Sequence, residues 1–297
     1  MENFMKKLLF CIGLPMILSA ETLSVQEEYS NAIHLYQIKN WEALLEKSEM
    51  ILSEFPGTPF SEDAEFYLGV SYFHLGDQEL SNDHLSRYLR KQTAPKHFET
   101  AIEYKFQIAE SFKEGAKKHL MGWKKMPKWV PARDEALQIY DEVITALPNH
   151  DIAAKALFSK AKLLYRIDDY KSSIDAYQTL IRRFPKHHLS PDSYIGIGAV
   201  YLTQARLEFP DPDFLELAEI NIQKFMRDFP GDKRVSVNQE MLQEMRELYA
   251  LHLYDVAKFF ERTNKPKAAK IYYGKIVNQY PTTKTAERAK KRFASLK

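Results

Sequence analysis

Residues 249–293 read YALHLYDVAKFFERTNKPKAAKIYYGKIVNQYPTTKTAERAKKRF. Apolar or small residues stand one, four, five, eight and twelve positions before Pro281, at Tyr280, Val277, Ile276, Tyr273 and Ala269. These offsets follow one face of an α-helix, and proline is a residue at which a helix has to stop. The stretch therefore predicts a helix that ends before Pro281, preceded by a helix whose apolar stripe is Leu253, Ala257 and Phe260.

The same pattern occurs four more times in the chain. A large apolar residue precedes a proline at residues 55–56, 147–148, 184–185 and 229–230, and the residues at the other offsets are again apolar or small. Recurrence at regular intervals is the signature of a repeat array. Ala161 and Ala257, in the first helices of two units, are small enough to let paired helices approach closely. The pattern therefore predicts paired helices throughout the chain after residue 24.

In this pattern the chain resembles the tetratricopeptide repeat family. The family's unit has a small residue in its first helix, Ala early in its second, an aromatic residue one turn later, and a terminal Pro. The best matches are Ala161, Ser173, Tyr177 and Pro185, and then Ala257, Ala269, Tyr273 and Pro281. The resemblance implies an all-α right-handed superhelix, or α-solenoid, of five to six helix pairs with a C-terminal capping helix. We expect repeats over residues 24–148, with an inserted loop near 113–132, and further repeats over 149–297.

The spacing of the repeats, the insertion and the order of helices in residues 249–293 also resemble the BamD family of outer-membrane β-barrel assembly components. This resemblance implies a non-catalytic periplasmic scaffold in the assembly and insertion of outer-membrane β-barrel proteins. It implies that the N-terminal repeats bind unfolded outer-membrane protein segments and that the C-terminal repeats bind a BamA-like barrel-inserting protein. The alternative is another cell-envelope interaction protein, in cell-wall, pilus or division machinery.

The first helices of tetratricopeptide repeats line a concave groove, which directs attention to their aromatic residues. By the family pattern, the groove side of the first two units carries Tyr29, Ile33, Tyr36, Phe66, Val70 and Phe73. Exposed aromatic groups commonly anchor a peptide or a partner helix, so we predict that these residues bind a partner. The alternative is that they pack against neighbouring helices, as most apolar residues of helices do.

The insertion reads KEGAKKHLMGWKKMPKWVPARDE over residues 113–135. Its lysines interleave with Trp123 and Trp129, while glycine and proline residues predict a loop. Basic residues with interfacial aromatic residues suit an anionic membrane surface or an acidic partner, so both tryptophans are candidate partner-binding residues. The alternative is a loop packed by its own side chains with a solvated fringe of lysines.

Residues 1–20 have the layout of a secretory signal. Lys6 and Lys7 precede an apolar stretch over 8–18, and Ala20 provides a small residue at the end. The alternative is an uncleaved N-terminal anchor. Cys11 is preceded by Phe10 rather than by the small residue of a lipidation site. The sequence therefore predicts export without a lipid anchor, and the resemblance to the BamD family implies a location at the periplasmic face of the outer membrane.

Charge and motifs argue against other function classes. The 42 basic and 40 acidic residues leave a net charge of +2, which gives no general case for nucleic-acid binding. Gly196 and Gly198 resemble part of a dinucleotide fingerprint, but Tyr201 stands where its third glycine belongs, and a tight helix crossing fits better. His187 and His188 have no third ligand at a zinc-site spacing. We therefore predict no cofactor, no metal site and no catalytic residue.

Overall fold

The computed structural model describes residues 24–91, 93–119, 128–206 and 212–296, which form thirteen helices and two short strands. The predicted signal over 1–20, with Cys11, and the predicted binding residue Trp123 lie outside these ranges. No helix in the described ranges combines the length and apolar character needed to cross a membrane. The chain divides into two compact units, Met1–Ala153 and Ala154–Lys297.

The first unit contains three helix pairs and a β-hairpin. Its elements are α1 (24–37), α2 (Trp41–Glu54), α3 (Pro59–His74), α4 (Gln78–Lys91), α5 (Phe98–Lys113), β1 (Lys117–His119), β2 (Lys128–Pro131) and α6 (Arg133–Ala146). The insertion predicted near 113–132 thus lies between α5 and α6. Its described ends do not form a loop, because β1 and β2 pair as an antiparallel hairpin.

The second unit continues with helix pairs and ends on a single helix. Its elements are α7 (Asp151–Arg166), which begins just before the boundary, α8 (Tyr170–Arg183), α9 (Leu189–Ala205), α10 (Asp213–Asp228), α11 (Val235–Arg262), α12 (Pro266–Gln279) and α13 (Lys284–Ser295). The predicted all-α tetratricopeptide-repeat class is therefore confirmed. Two residues on one side of α13, Ala286 and Ala289, are buried in the cluster formed with α11 and α12.

The prolines end five of the second helices at equivalent positions. Helices α2, α6, α8, α10 and α12 each stop one residue before the C-cap, and a proline follows that cap. The cap residues have ψ values between 50° and 69°, outside the helical region. Proline causes this, because its ring disfavours the helical conformation of the preceding residue.

The predicted apolar face is the buried face of these helices. The residues five, eight and twelve positions before each proline are all buried: Ile51, Ser48, Leu44; Val143, Tyr140, Ala136; Leu180, Tyr177, Ser173; Phe225, Ile222, Ala218; Ile276, Tyr273, Ala269. The position four before the proline lies at the margin, since Met226 is 49% exposed. The ladder read from the sequence is therefore confirmed at its central positions.

Small residues bring the two helices of a pair together. The Ser173 hydroxyl donates to the Ala161 carbonyl over 2.8 Å, and the Ser81 hydroxyl donates to the Gly69 carbonyl over 2.7 Å. Such contacts between a side chain and the facing backbone need a small residue at the crossing. The expected close approach at Ala161 is confirmed.

Most pairs turn through the same left-handed cap. A residue with positive φ ends the first helix at Lys39, Gly76, Gly115, Asp168 and Asn264. The next backbone N–H donates to the carbonyl five residues earlier in each case, as in a Schellman motif. Three of these five caps are not glycine, which is one reason why a chain with only 10 glycines can make so many turns.

A pair of glycine substitutions tests the crossings. A Cβ at Gly196 would lie 2.4 Å from the Tyr177 ring, whereas a Cβ at Gly274 would meet only Phe293, at 3.4 Å. Both changes to alanine gain helix propensity. We expect Gly196→Ala to lower the free energy of unfolding by about 1–3 kcal/mol and Gly274→Ala to raise it by up to about 1 kcal/mol. Urea unfolding of the whole chain measures both, and equal changes would contradict the crossing.

Candidate functional site

Aromatic side chains of the first three helix pairs come together in the first unit. We call this set the N-terminal aromatic surface, and it consists of Tyr36, Trp41, Phe73, His74 and Tyr104. Two of them stand at helix ends: Trp41 is the first residue of α2, behind the N-cap Asn40, and His74 is the last residue of α3.

The centre of this surface is a stack of rings. The Trp41 indole lies parallel to the His74 imidazole, with centroids 4.0 Å apart and planes 7° from parallel. The Tyr104 hydroxyl lies 3.2 Å from His74 Nε2, and the Phe73 ring meets the Tyr104 ring edge-on at 5.1 Å. Burial, and secondarily the charge of Lys39, lower the pKa of His74. A neutral imidazole therefore presents an aromatic rather than a charged surface at pH 7.

Two of the predicted binding residues lie beneath this surface. Phe66 and Val70 are fully buried, so neither offers its side chain to a partner. The physical reason is the position of α3, which packs against α2, α4 and α5 and is buried continuously over residues 64–71. A helix enclosed on several sides places even its groove-facing residues in the core. Phe66 and Val70 therefore pack against neighbouring helices, which was the alternative to partner binding.

The other predicted residues differ in exposure and in position. Tyr29, Ile33, Tyr36 and Phe73 are half-buried, and Tyr29 donates its hydroxyl to Asp63 over 2.7 Å. Burial and this hydrogen bond raise the pKa of Tyr29, so its ring, rather than its hydroxyl, remains for a partner. Trp129 is 61% exposed and lies in β2, outside the aromatic surface.

The sequence interpretation missed Trp41, His74 and Tyr104. The spacing of apolar residues along a helix does not single out Trp41 and His74, because both stand at helix ends. Tyr104 was missed because the insertion obscured the register of the third unit. Matching the left-handed caps Gly76 and Gly115 aligns Tyr104 with Glu65 of α3, which is not a groove-side position, so the repeat pattern alone does not identify Tyr104.

A cleft of about 760 Å³ opens between α4, α5 and α6 around a buried lysine. Lys105 is 1% exposed and occupies in α5 the position that Phe66 has in α3. Its Nζ lies 2.6 Å from Ser86 Oγ, 2.9 Å from Asn82 Oδ1 and 2.7 Å from Glu142 Oε2. Burial lowers the pKa of Lys105, and Glu142 opposes that shift. Because its three donors are used, this lysine joins α4 to α6 instead of offering a nucleophile.

A second surface lies on the last helices of the second unit. We call it the C-terminal groove, an open cleft of about 640 Å³ whose main lining residues are Lys267, Lys270, Ile271, Gly274, Lys275 and Phe293. Ile271 is 61% exposed, and Lys270 Nζ lies 5.3 Å from the centroid of the Phe293 ring. An apolar floor with a cationic rim suits an amphipathic segment that carries carboxylates.

The motifs that suggested enzymes have structural roles. Gly196 lies against the Tyr177 ring, and a Cβ at Gly198 would lie 2.2 Å from Asn238 Oδ1, so the interpretation of this pair as a helix crossing is confirmed. The rings of His187 and His188 lie 4.3 Å apart beside the start of α9. Across the described ranges, no group of three or more potential ligands could hold a metal ion.

Comparison with known proteins gives two family matches. The YfiO family, described as an outer membrane lipoprotein, matches residues 132–295. A tetratricopeptide repeat family matches residues 63–92. No curated protein sequence matches the chain.

The chain is also similar to several solved structures at low identity. MamA residues 41–end from Desulfovibrio magneticus RS-1 is 14% identical, with 70% of this chain and 97% of that chain covered and a TM-score of 0.41. YrrB, a tetratricopeptide repeat protein described as having an unusual peptide-binding site, is 13% identical over 72% and 90% of the chains, with a TM-score of 0.41. A tetratricopeptide repeat protein from Parabacteroides merdae ATCC 43184 is 12% identical over 91% and 98%, also with a TM-score of 0.41.

The floor of the aromatic surface predicts a pH dependence. His97 stacks on Phe66 with centroids 4.3 Å apart, and its Nε2 is buried without a hydrogen-bond partner among the described residues. Burial lowers the pKa of His97, and Asp63 opposes the shift. The unfolded chain therefore binds more protons below the ordinary pKa of about 6.5, and stability falls as the pH drops through that value.

We expect His97→Phe to keep the stack and to lose less stability than the wild type between about pH 7.5 and about pH 5.5, because the lowered pKa of His97 no longer contributes to that loss. Urea unfolding at both pH values measures this loss. His34→Phe, at an exposed histidine of α1, is the control. An unchanged pH dependence in His97→Phe would contradict the assignment.

Proposed function

The chain belongs to the YfiO family of outer membrane lipoproteins, and on that premise we propose that it binds unfolded outer-membrane proteins and docks the protein that inserts them. A tetratricopeptide-repeat member of this family is a protein-interaction scaffold in outer membrane assembly. We assign client binding to the N-terminal repeats and docking of a BamA-like barrel-inserting protein to the C-terminal repeats. Both events take place at the periplasmic face of the outer membrane.

The observation that carries the client assignment is the ring stack of Trp41, His74 and Tyr104. Barrel proteins have bands of aromatic residues on their outer surface, and these residues are exposed before folding. Rings that are already ordered by stacking lose little entropy when they bind another ring. The stack therefore suits an extended client segment that carries aromatic side chains.

The C-terminal groove supports the second half of the proposal. Its apolar floor contains Ile271 and Phe293, and Lys267, Lys270 and Lys275 line it with positive charge. A partner segment with apolar residues beside carboxylates would bury the floor and pair with the rim. We place the docking of the barrel-inserting partner here because the groove combines an exposed apolar floor with a single sign of charge.

The mode of membrane attachment is part of the proposal. The family is described as a lipoprotein, whereas Phe10 precedes Cys11 in this chain. We propose that Cys11 is removed with the signal over residues 1–20 and that no lipid is attached. The chain then stays at the membrane through contacts of the folded protein.

Truncation of Trp41 tests client binding. We expect Trp41→Ala to weaken the binding of a fluorescent peptide that copies the last strand of a barrel protein by at least about tenfold, because it removes a stacked aromatic anchor. Fluorescence anisotropy measures the affinity. Phe259→Ala is the matched control, since Phe259 is an aromatic residue of the second unit and is 52% exposed. Equal affinities of both variants, or equal binding of a peptide without aromatic residues, would refute the assignment.

A charge in the C-terminal groove tests partner docking. We expect Ile271→Asp to reduce recovery of the barrel-inserting protein with the tagged chain from crosslinked envelope by about tenfold, because it places a carboxylate on the apolar floor. The control is Met226→Asp, at an exposed methionine of α10. Undiminished recovery with Ile271→Asp would place docking elsewhere. Recovery of cell-wall, pilus or division proteins in place of the inserting protein would favour the alternative function.

A further inference from the structure

The β-hairpin of the first unit turns its tryptophan outward and two of its lysines inward. Lys117 pairs with Pro131 and Lys118 with Val130, and the two residues of each pair lie on the same face of the hairpin. The outward face consists of Lys117, Trp129 and Pro131, which are all exposed, and the inward face consists of Lys118, His119, Lys128 and Val130, which are all half-buried. A hairpin in water is expected to turn its tryptophan inward and its lysines outward.

Three carboxylates hold the inward face in this orientation. Lys128 Nζ lies 2.9 Å from Asp77 Oδ1, at the turn between α3 and α4. Glu79 Oε2 accepts the backbone N–H of His119 over 3.0 Å and lies 2.7 Å from His119 Nδ1. Lys118 pairs with Glu135 of α6. The cations of this face are therefore used by the fold itself.

This orientation has an energetic consequence at Trp129. A large aromatic side chain gains about 1.5–3 kcal/mol when it leaves water completely, and Trp129 remains 61% exposed. The three carboxylates fix the hairpin with the indole in water, so the fold forgoes that gain. An exposed indole on a firmly held hairpin is thus available for a surface outside the chain.

We propose that the outward face of this hairpin binds the surface of an anionic bilayer, with Trp129 in the interface and Lys117 at the headgroups. Tryptophan concentrates at the membrane–water interface, because its ring is apolar and its N–H is polar. Lys117 makes no ion pair within the described ranges, so its charge is available to lipid phosphates. The sequence over 115–132 adds further lysines and contains no acidic residue.

A bilayer fits this face better than a protein does. A stable protein interface needs about 800 Å² from each partner, and three side chains on two short strands are much smaller than that. A bilayer needs no complementary shape, because surface binding depends on the apolar area that enters the interface and on the attraction of basic side chains to anionic lipids.

The inference rests on the proposed location at the outer membrane but not on client or partner binding. It supplies the contact that would hold a chain without a lipid at that surface. Trp129→Ala is therefore expected to bind the client peptide, and to bind the purified inserting partner, as the wild type does. Loss of vesicle binding alone would separate this site from the two binding surfaces.

Sedimentation with vesicles tests the proposal. The chain purified from the envelope is mixed with vesicles of phosphatidylglycerol and phosphatidylcholine, or of phosphatidylcholine alone. We expect binding to the anionic vesicles, a loss of about tenfold with Trp129→Ala and a loss of about fivefold with Lys117→Gln. Trp129→Phe should restore part of the binding, and Phe259→Ala should leave it unchanged.

Two outcomes would overturn the proposal. One is that wild type and Trp129→Ala bind anionic vesicles equally, and the other is that the wild type binds no vesicles at all. If the first outcome is found and a crosslink between the hairpin and an envelope protein is lost in Trp129→Ala, the outward face is assigned to a protein instead. Because Trp129 is largely exposed, its replacement leaves the fold intact, and the comparison reports the surface alone.

Discussion

The close approach of the two helices within each pair is the contact on which the rest of this structure depends. Ser173 donates to the Ala161 carbonyl and Ser81 to the Gly69 carbonyl, so in both pairs a side chain of the second helix meets the backbone of the first. A two-helix unit cannot bury its apolar face alone. Close crossings bring the apolar residues of both helices onto one surface, and the next helix pair can cover that surface.

This packing determines where binding residues can stand. The second helices use the face five, eight and twelve residues before each proline for the core, and α3 is enclosed by its neighbours. Helix ends are less enclosed. Trp41 opens α2 and His74 closes α3, and both keep part of their rings accessible. The N-terminal aromatic surface therefore forms mainly near helix ends, at Tyr36, Trp41, Phe73 and His74, and only Tyr104 stands in the middle of a helix.

The same contrast explains what could be predicted from the sequence. The buried ladder was predictable because its offsets depend only on helix geometry and on the proline that follows. The burial of Phe66 and Val70 was not, since it depends on which helices enclose α3. The hairpin was not predictable either, because its orientation depends on Glu79, which is 40 residues from His119 in sequence. The spacing of residues within one helix or strand does not predict a contact between residues so far apart in sequence.

The ionisable groups buried in the first unit belong to the packing of the helices rather than to the candidate binding surfaces. Lys105 uses its three donors on Asn82, Ser86 and Glu142. The Glu65 carboxylate lies 2.8 Å from His84 Nδ1 and accepts from Lys91 over 3.2 Å; burial opposes ionisation, but these contacts lower the pKa of Glu65. Groups held in this way join neighbouring helices and stabilise their packing. The two candidate binding surfaces are built instead from exposed side chains, which are the rings around Trp41 and the apolar floor and lysine rim around Ile271.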